Sequence, residues 1–322
     1  MPFRTQLTKD KAHEDSIWTT AWTDKNQILS GSVDENVKVW DVTADAASAA
    51  AEDEGLTQLA LKQARKLTGH NLGAHSLDVS AATGTAAVSS LDCSIRMWDP
   101  VSGDARGTID AGPVETWTVS FSPDGQRLAS GSHNGCVNLW GVDSLDKQGS
   151  VQTKGNFVMS VAFSPDGTKV VAGGHNGSVS LIDVQTETEV ARLEGANAHV
   201  KPVRSVSFSA DGGTLLTASD DSQINVYDLG AGGGGAGRAP QLLAALSGHT
   251  SWVLAVRCRA DGQQFATAGS DHTVKVWDFG QRSCLHTFEE HADQVWSVAY
   301  SPDGKRLVSG GEDGKLNVYD VA

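Results

Sequence analysis

The chain has 322 residues, enough for a sizeable core, and 39% are apolar without any run of 18 such residues, which excludes a membrane-spanning helix. With 25 basic against 39 acidic side chains the formal charge is −14, and Lys and Arg do not cluster along the sequence, so phosphate backbones and anionic membranes would be repelled. The four cysteines, Cys93, Cys136, Cys258 and Cys284, make no CxxC pair and no Cys-His group at zinc spacing; they read as free thiols.

In chain order, the opening "MPFRTQLTKDKAHEDS" shows no apolar signal region, and "FRTQLTK" (3–9) is predicted as a lone strand. Seven copies of one strand-turn-strand design follow. They are "ILSGSVDENVKVWDV" (28–42), "AVSSLDCSIRMWDP" (87–100), "LASGSHNGCVNLWGV" (128–142), "VVAGGHNGSVSLIDV" (170–184), "LLTASDDSQINVYDL" (215–229), "FATAGSDHTVKVWDF" (265–279) and "LVSGGEDGKLNVYDV" (307–321). Four of them are preceded by a strand and a tight turn of the "FSPDG" kind, at 121–125, 163–167, 208–212 and 300–304. The unit is therefore a four-stranded meander of about forty residues. Two segments break the period. The Ala-rich, acidic 43–64 is predicted as a short helix leaving the first unit, and "GAGGGGAGRA" (230–239) as a flexible linker without the strand-helix context of a nucleotide-binding loop.

Period and repeat endings resemble the WD40 repeat, which implies an all-β fold, a single seven-bladed β-propeller spanning 1–322. The last copy ends with its third strand, so the N-terminal strand is expected to complete and close that blade. The expected divisions are 1–12 (closing strand of blade 7), 13–67 (blade 1, with the insert 43–64), 68–109 (blade 2), 110–152 (blade 3), 153–194 (blade 4), 195–246 (blade 5, with the insert 230–239), 247–288 (blade 6) and 289–322 (blade 7).

His13, Ser30, Asp34 and Trp40 in blade 1 match His249, Thr267, Asp271 and Trp277 in blade 6. Imidazole, hydroxyl and carboxylate suggest a nucleophilic triad, but a constellation repeated around a ring is architecture, and the resemblance implies a structural tetrad. Blades 3 and 4 lack the His, with Gly112 and Lys154 at its place, and also the Asp, replaced by Asn134 and Asn176. Losing both together is expected, because an abandoned buried carboxylate costs roughly 1–3 kcal/mol or more. Blade 2 is partial, with His70, Asp92 and Trp98 but Val88 at the hydroxyl position; blades 5 and 7 carry Tyr227 and Tyr319 in place of Trp.

The WD-repeat pattern places three residues per blade on the face where the inner strands begin. Here they include Trp18, His75, Glu115, Trp117, His133, Phe157, Met159, Arg204, Trp252, Leu254 and Trp296, which are expected to form a partner-binding top face rich in the aromatic and Arg anchors of interfaces. Strand parity offers the competing reading for Trp117, which shares a side with Val119 and Phe121 and would then pack between blades. His75, His133 and His175 lie on separate turns and are read as ordinary surface histidines, with no metal site and no cofactor expected.

"TIDAGPVETWTVSFSPDG", "LSGHTSWVLAV", "SSLDCSIRMWD" and "HADQVWSVAYSPDG" resemble the small WD-repeat subunit shared by the superkiller (Ski) complex and the polymerase-associated factor (Paf) complex. That resemblance implies no catalysis, no direct nucleic-acid or membrane binding, and a monomeric propeller inside a hetero-complex. Its partners would be a tetratricopeptide-repeat subunit and an RNA helicase, serving exosome-mediated 3′–5′ mRNA decay in the cytoplasm, with Paf-complex subunits and transcription elongation in the nucleus. The alternative is an adaptor of another assembly, such as a ubiquitin-ligase substrate receptor. Those often carry Arg two residues after the repeat-ending Asp, where this chain has Thr43, Val101, Gln185, Gly230, Gly280 and Ala322.

Overall fold

A meander of antiparallel strands needs only tight turns, and the sequence supplies them. In 122–125, Gly125 takes φ 69°, its N–H donates to Ser122 O at 2.8 Å, and Asp124 Oδ1 accepts the Gln126 N–H at 3.0 Å. Gly177, in the blade 4 "HNG" turn, has φ 84°, and a Cβ there would lie 2.2 Å from His199 O, so only glycine fits.

The computed structural model describes residues 3–44, 59–112, 116–154, 157–230 and 239–321. Seven four-stranded antiparallel sheets form a seven-bladed propeller. Six sheets use four consecutive strands. The seventh joins β1 (Arg4–Lys9) to β28 (Leu316–Asp320), so the N-terminal strand closes the ring. Arg4 reinforces this seam through an ion pair with Asp320 at 2.9 Å, and the Phe3 ring stacks on His286 of blade 6 at 5.3 Å.

The core is divided into layers, one between each pair of neighbouring blades. Ile28 joins Trp22 and Trp40 against Val308 and Val318 of blade 7, while the next residue, Leu29, packs with Val37 and Val39 against Leu77 and Val88 of blade 2. Both faces of a blade are thus buried, which is why β3 (Gln27–Ser32) is buried at every position and shows no polar alternation.

Inner strands present their free edges to the channel, and hydroxyls stitch them together. Thr19 accepts the Leu77 N–H at 3.0 Å, Ser76 the Val119 N–H at 3.2 Å, Ser205 the Val256 N–H at 3.2 Å, and Ser297 the Thr20 N–H at 3.0 Å. Each of these N–H groups would otherwise be an unpaired donor at an edge.

The helix expected in 43–64 is corrected at both ends. β4 (Val37–Ala44) and β5 (Leu59–Leu67) run through these residues as one long hairpin, pairing Thr43 with Ala60. Leu59 and Leu61 there pack on the cluster holding Trp40, an apolar burial that Ala-rich helix propensity does not outweigh. Residues 45–58 and 231–238 lie outside the described residues, so the Gly-rich linker expectation falls there. Among the described residues the one helical turn is a 3₁₀ element, Gly195–Asn197.

Candidate protein-interaction face

The inner strands are not regular where they reach the top face. Register slips between Ile17 and Thr19, Ala74 and Ser76, Val158 and Ser160, Val203 and Ser205, Val253 and Ala255, and Val295 and Ser297. The residues skipped are Trp18, His75, Met159, Arg204, Leu254 and Trp296. Each is a β-bulge, and a bulge takes its side chain out of the alternation and re-aims it. The core shows the shift: Ile17 and Trp22, five apart and thus on opposite sides of a regular strand, share one cluster, and Val203 and Val206, three apart, share another.

Blade 3 reaches the same result without a bulge inside its strand. Trp117 stands just before β10 (Thr118–Phe121) and donates its N–H to Gly131 O at 2.8 Å. Val119 and Phe121 enter the layer between blades 2 and 3, whereas Trp117 stays half-exposed outside it. Parity is therefore the wrong rule for Trp117.

The released side chains form a continuous run of rings. Trp296 of blade 7 meets Trp18 of blade 1 at 6.2 Å, Trp18 meets His75 at 5.3 Å, and His75 meets Trp117 at 3.7 Å. Trp117 then contacts Phe157 edge-on at 5.1 Å, and His133 stacks on Phe157 at 3.8 Å. Across the ring, the Arg204 guanidinium lies 5.7 Å from the Trp252 ring and is held by two bonds to Asp220, at 2.8 and 2.7 Å. Trp252 is 43% exposed, more open than Trp18, Trp117, Phe157 and Trp296, while Met159 and Leu254 are buried. Those two line a cavity of about 270 Å³ below the rings, together with Trp18, Trp117, Arg204 and Trp296. Glu115 lies outside the described residues.

His75 is not an ordinary surface histidine. Its Nδ1 is buried without a hydrogen-bond partner, and burial among the rings pushes its pKa from 6.5 down to about 3, outweighing a hydrogen bond to the Trp117 backbone. His133 and His175 are exposed. Because the unfolded chain binds a proton at His75 near pH 6.5 and the folded chain only near 3, stability falls as pH drops through that window. Urea titrations at pH 7 and pH 4.5 are expected to show this loss, and His75→Phe to shrink it; an unchanged pH slope in the variant would refute the assignment.

Beneath the face, His13 Nδ1 meets Asp34 at 2.8 Å, its Nε2 meets Ser30 Oγ at 2.7 Å, and Trp40 Nε1 donates to Ser30 Oγ at 2.8 Å. Blade 6 repeats this with His249 to Asp271 at 2.9 Å, His249 to Thr267 at 2.7 Å, and Trp277 to Thr267 at 2.8 Å. Burial would raise the Asp34 carboxyl, but the hydrogen bond from His13 and the Glu14 and Asn36 N–H groups hold it below its ordinary range. In blade 7, Tyr319 Oη takes the indole's place against Ser309 at 2.9 Å. Blade 3 keeps only the Trp140 to Ser130 bond, 2.9 Å, and Asn134 Oδ1 accepts the Cys136 N–H instead. In blades 1, 6 and 7 the hydroxyl is thus held between two ring groups beneath the surface.

Seven spans match the family described as "WD domain, G-beta repeat": 4–41, 61–99, 107–141, 147–183, 189–228, 240–278 and 282–320. The chain is a WD-repeat protein. Each span begins on the outer strand of one blade and ends on the third strand of the next, so the WD repeat is offset from the blade by one strand. This WD-repeat protein is 38% identical to WD repeat-containing protein SL1-17 of Schistosoma mansoni over 325 residues, 99% of this chain and 100% of that one. It is 29% identical to meiotic recombination protein rec14 of Schizosaccharomyces pombe over 70% of this chain and 69% of that protein. It is also 29% identical to superkiller complex protein 8 of Dictyostelium discoideum over 37% of this chain and 35% of that protein.

Two features escaped sequence reasoning. The bulges leave no residue-type signature, since Trp, His, Met, Arg and Leu all occupy them. The Ser that stitch the inner strands stand in "SVAF", "SVSF" and "SVAY", but nothing local marks them as partners of the neighbouring blade.

Proposed function

We propose that this chain is a non-catalytic scaffold subunit of a Ski-type assembly. Its top face docks a tetratricopeptide-repeat partner beside an RNA helicase, supporting exosome-mediated 3′–5′ mRNA decay in the cytoplasm, with a second role among Paf-complex subunits in the nucleus. The observation that carries the docking is the unbroken run of rings from Trp296 through Trp18, His75 and Trp117 to Phe157. A solvent face gains nothing from such a run, whereas interface hot spots are built from Trp and Arg. The partial similarity to superkiller complex protein 8 supports the choice of assembly.

Affinity purification of the tagged chain from its own cells, with mass spectrometry of what is retained, tests it. Helicase and tetratricopeptide-repeat subunits are expected, and Trp117→Ala with Phe157→Ala should lower their recovery at least tenfold, as hot-spot losses of about 2 kcal/mol or more each require. Recovery of neither helicase nor elongation subunits, or full recovery with the double variant, would overturn it.

A further inference from the structure

Three basic residues fall within five positions of one strand, and strand pairing brings a fourth beside them. β5 is the outermost strand of blade 1, reads "LALKQARKL", and carries Lys62, Arg65 and Lys66 with no acidic residue. Register sets Lys66 directly opposite Lys38 of β4. Like charges so placed destabilise a strand pair, and within the blade it is Lys38 that is compensated, its Nζ lying 5.9 Å from the Trp40 ring. Lys38 is occupied, donating to Ala12 O at 2.6 Å beside Lys11. Lys62, Arg65 and Lys66 have no ion-pair partner among the described residues, in a chain of charge −14.

The register also sorts these cations. Lys62 pairs with Asp41 and Arg65 with Val39, on one side of the blade; Lys66 pairs with Lys38 on the other. The outer edge of β5 is unpaired in its sheet. A strand added there would send alternate side chains to both sides and meet a cation on each. The two lysines, four residues apart, span about 13 Å, the reach of a short peptide.

We propose that the outer edge of blade 1 docks an acidic, extended segment of a partner protein as an added strand. Charge complementarity selects the occupant. A duplex nucleic acid continues its negative charge beyond this patch into the field of a strongly acidic protein, whereas a short peptide ends within it. The surface is separate from the aromatic top face and does not depend on the identity of the assembly.

The test uses the 322-residue chain and a fluorescein-labelled dodecapeptide of Glu-Glu-Thr-Thr repeats, whose carboxylates fall on both sides of an extended strand, followed by anisotropy at low and moderate salt. Lys62→Glu with Lys66→Glu is expected to weaken binding at least tenfold, and Trp117→Ala to leave it unchanged. Lys62→Glu sets a carboxylate opposite Asp41, so Lys66→Glu alone, which faces Lys38 and should melt no lower than the parent, is measured beside the double variant and is expected to weaken binding as well. An unchanged affinity in the double variant, equal binding of a Lys-Thr peptide, or tighter binding of a DNA duplex would each overturn the proposal. So would binding that emerges only when Glu52, Asp53 and Glu54 are replaced by Ser, which would assign the edge to the chain's own acidic insert.

Discussion

Removal of residues 1–9 is expected to open the ring and cost roughly 5 kcal/mol, because five register pairs between β1 and β28 disappear and each backbone hydrogen bond contributes about 1 kcal/mol. The loss exceeds that sum in its consequences. Leu316, Val318 and Tyr319 are fully buried, and Leu7 and Phe3 pack on the clusters that hold them. Without β1, β28 becomes a free apolar edge, the kind that pairs with other chains. Calorimetry and light scattering check both parts: a large drop in Tm accompanied by concentration-dependent association. A truncated chain that stays monomeric and melts like the parent would show that closure contributes little.

Asp271→Ala is expected to destabilise by about 3–5 kcal/mol, the usual result of removing one member of a buried pair. Asp271 accepts from His249 and from the Thr250 N–H at 3.0 Å, and its carboxyl is held below the ordinary range by the His249 bond, against the upward push of burial. That depression means the contribution is present above the ordinary carboxylate pKa and is lost as pH falls below it. The complementary change lies in blade 2. His70 stands 3.4 Å from Asp92 without a hydrogen bond at either ring nitrogen, and Val88 occupies the position where blades 1 and 6 give Nε2 a hydroxyl. Val88→Thr keeps the shape and supplies the missing group to His70, so a gain of about 1 kcal/mol is expected. Urea denaturation of the two variants decides the matter: no loss with Asp271→Ala, or a loss with Val88→Thr, would mean the tetrads do not carry stability in this way.

The partition between sequence and tertiary structure follows physical lines. The seven-fold period, the Asp-Gly and Asn-Gly turns and the missing outer strand of the last copy are local or countable, so they determined a closed ring of seven blades and placed the tetrads. His13, Asp34, His249 and Asp271 could be paired by offset alone because their spacing is fixed by strand lengths. Whether Trp117 faced the core or the solvent was not so determined. Parity along a strand holds only while register holds, and the bulges at Trp18, His75, Met159, Arg204, Leu254 and Trp296 shift register by one residue through pairing with a neighbouring strand. The same holds for charge. Lys38 and Lys66 are 28 positions apart, with an insert between them, and only the β4–β5 register sets them side by side. Local chemistry determined the frame; the pairing of strands decided which side chains the frame releases.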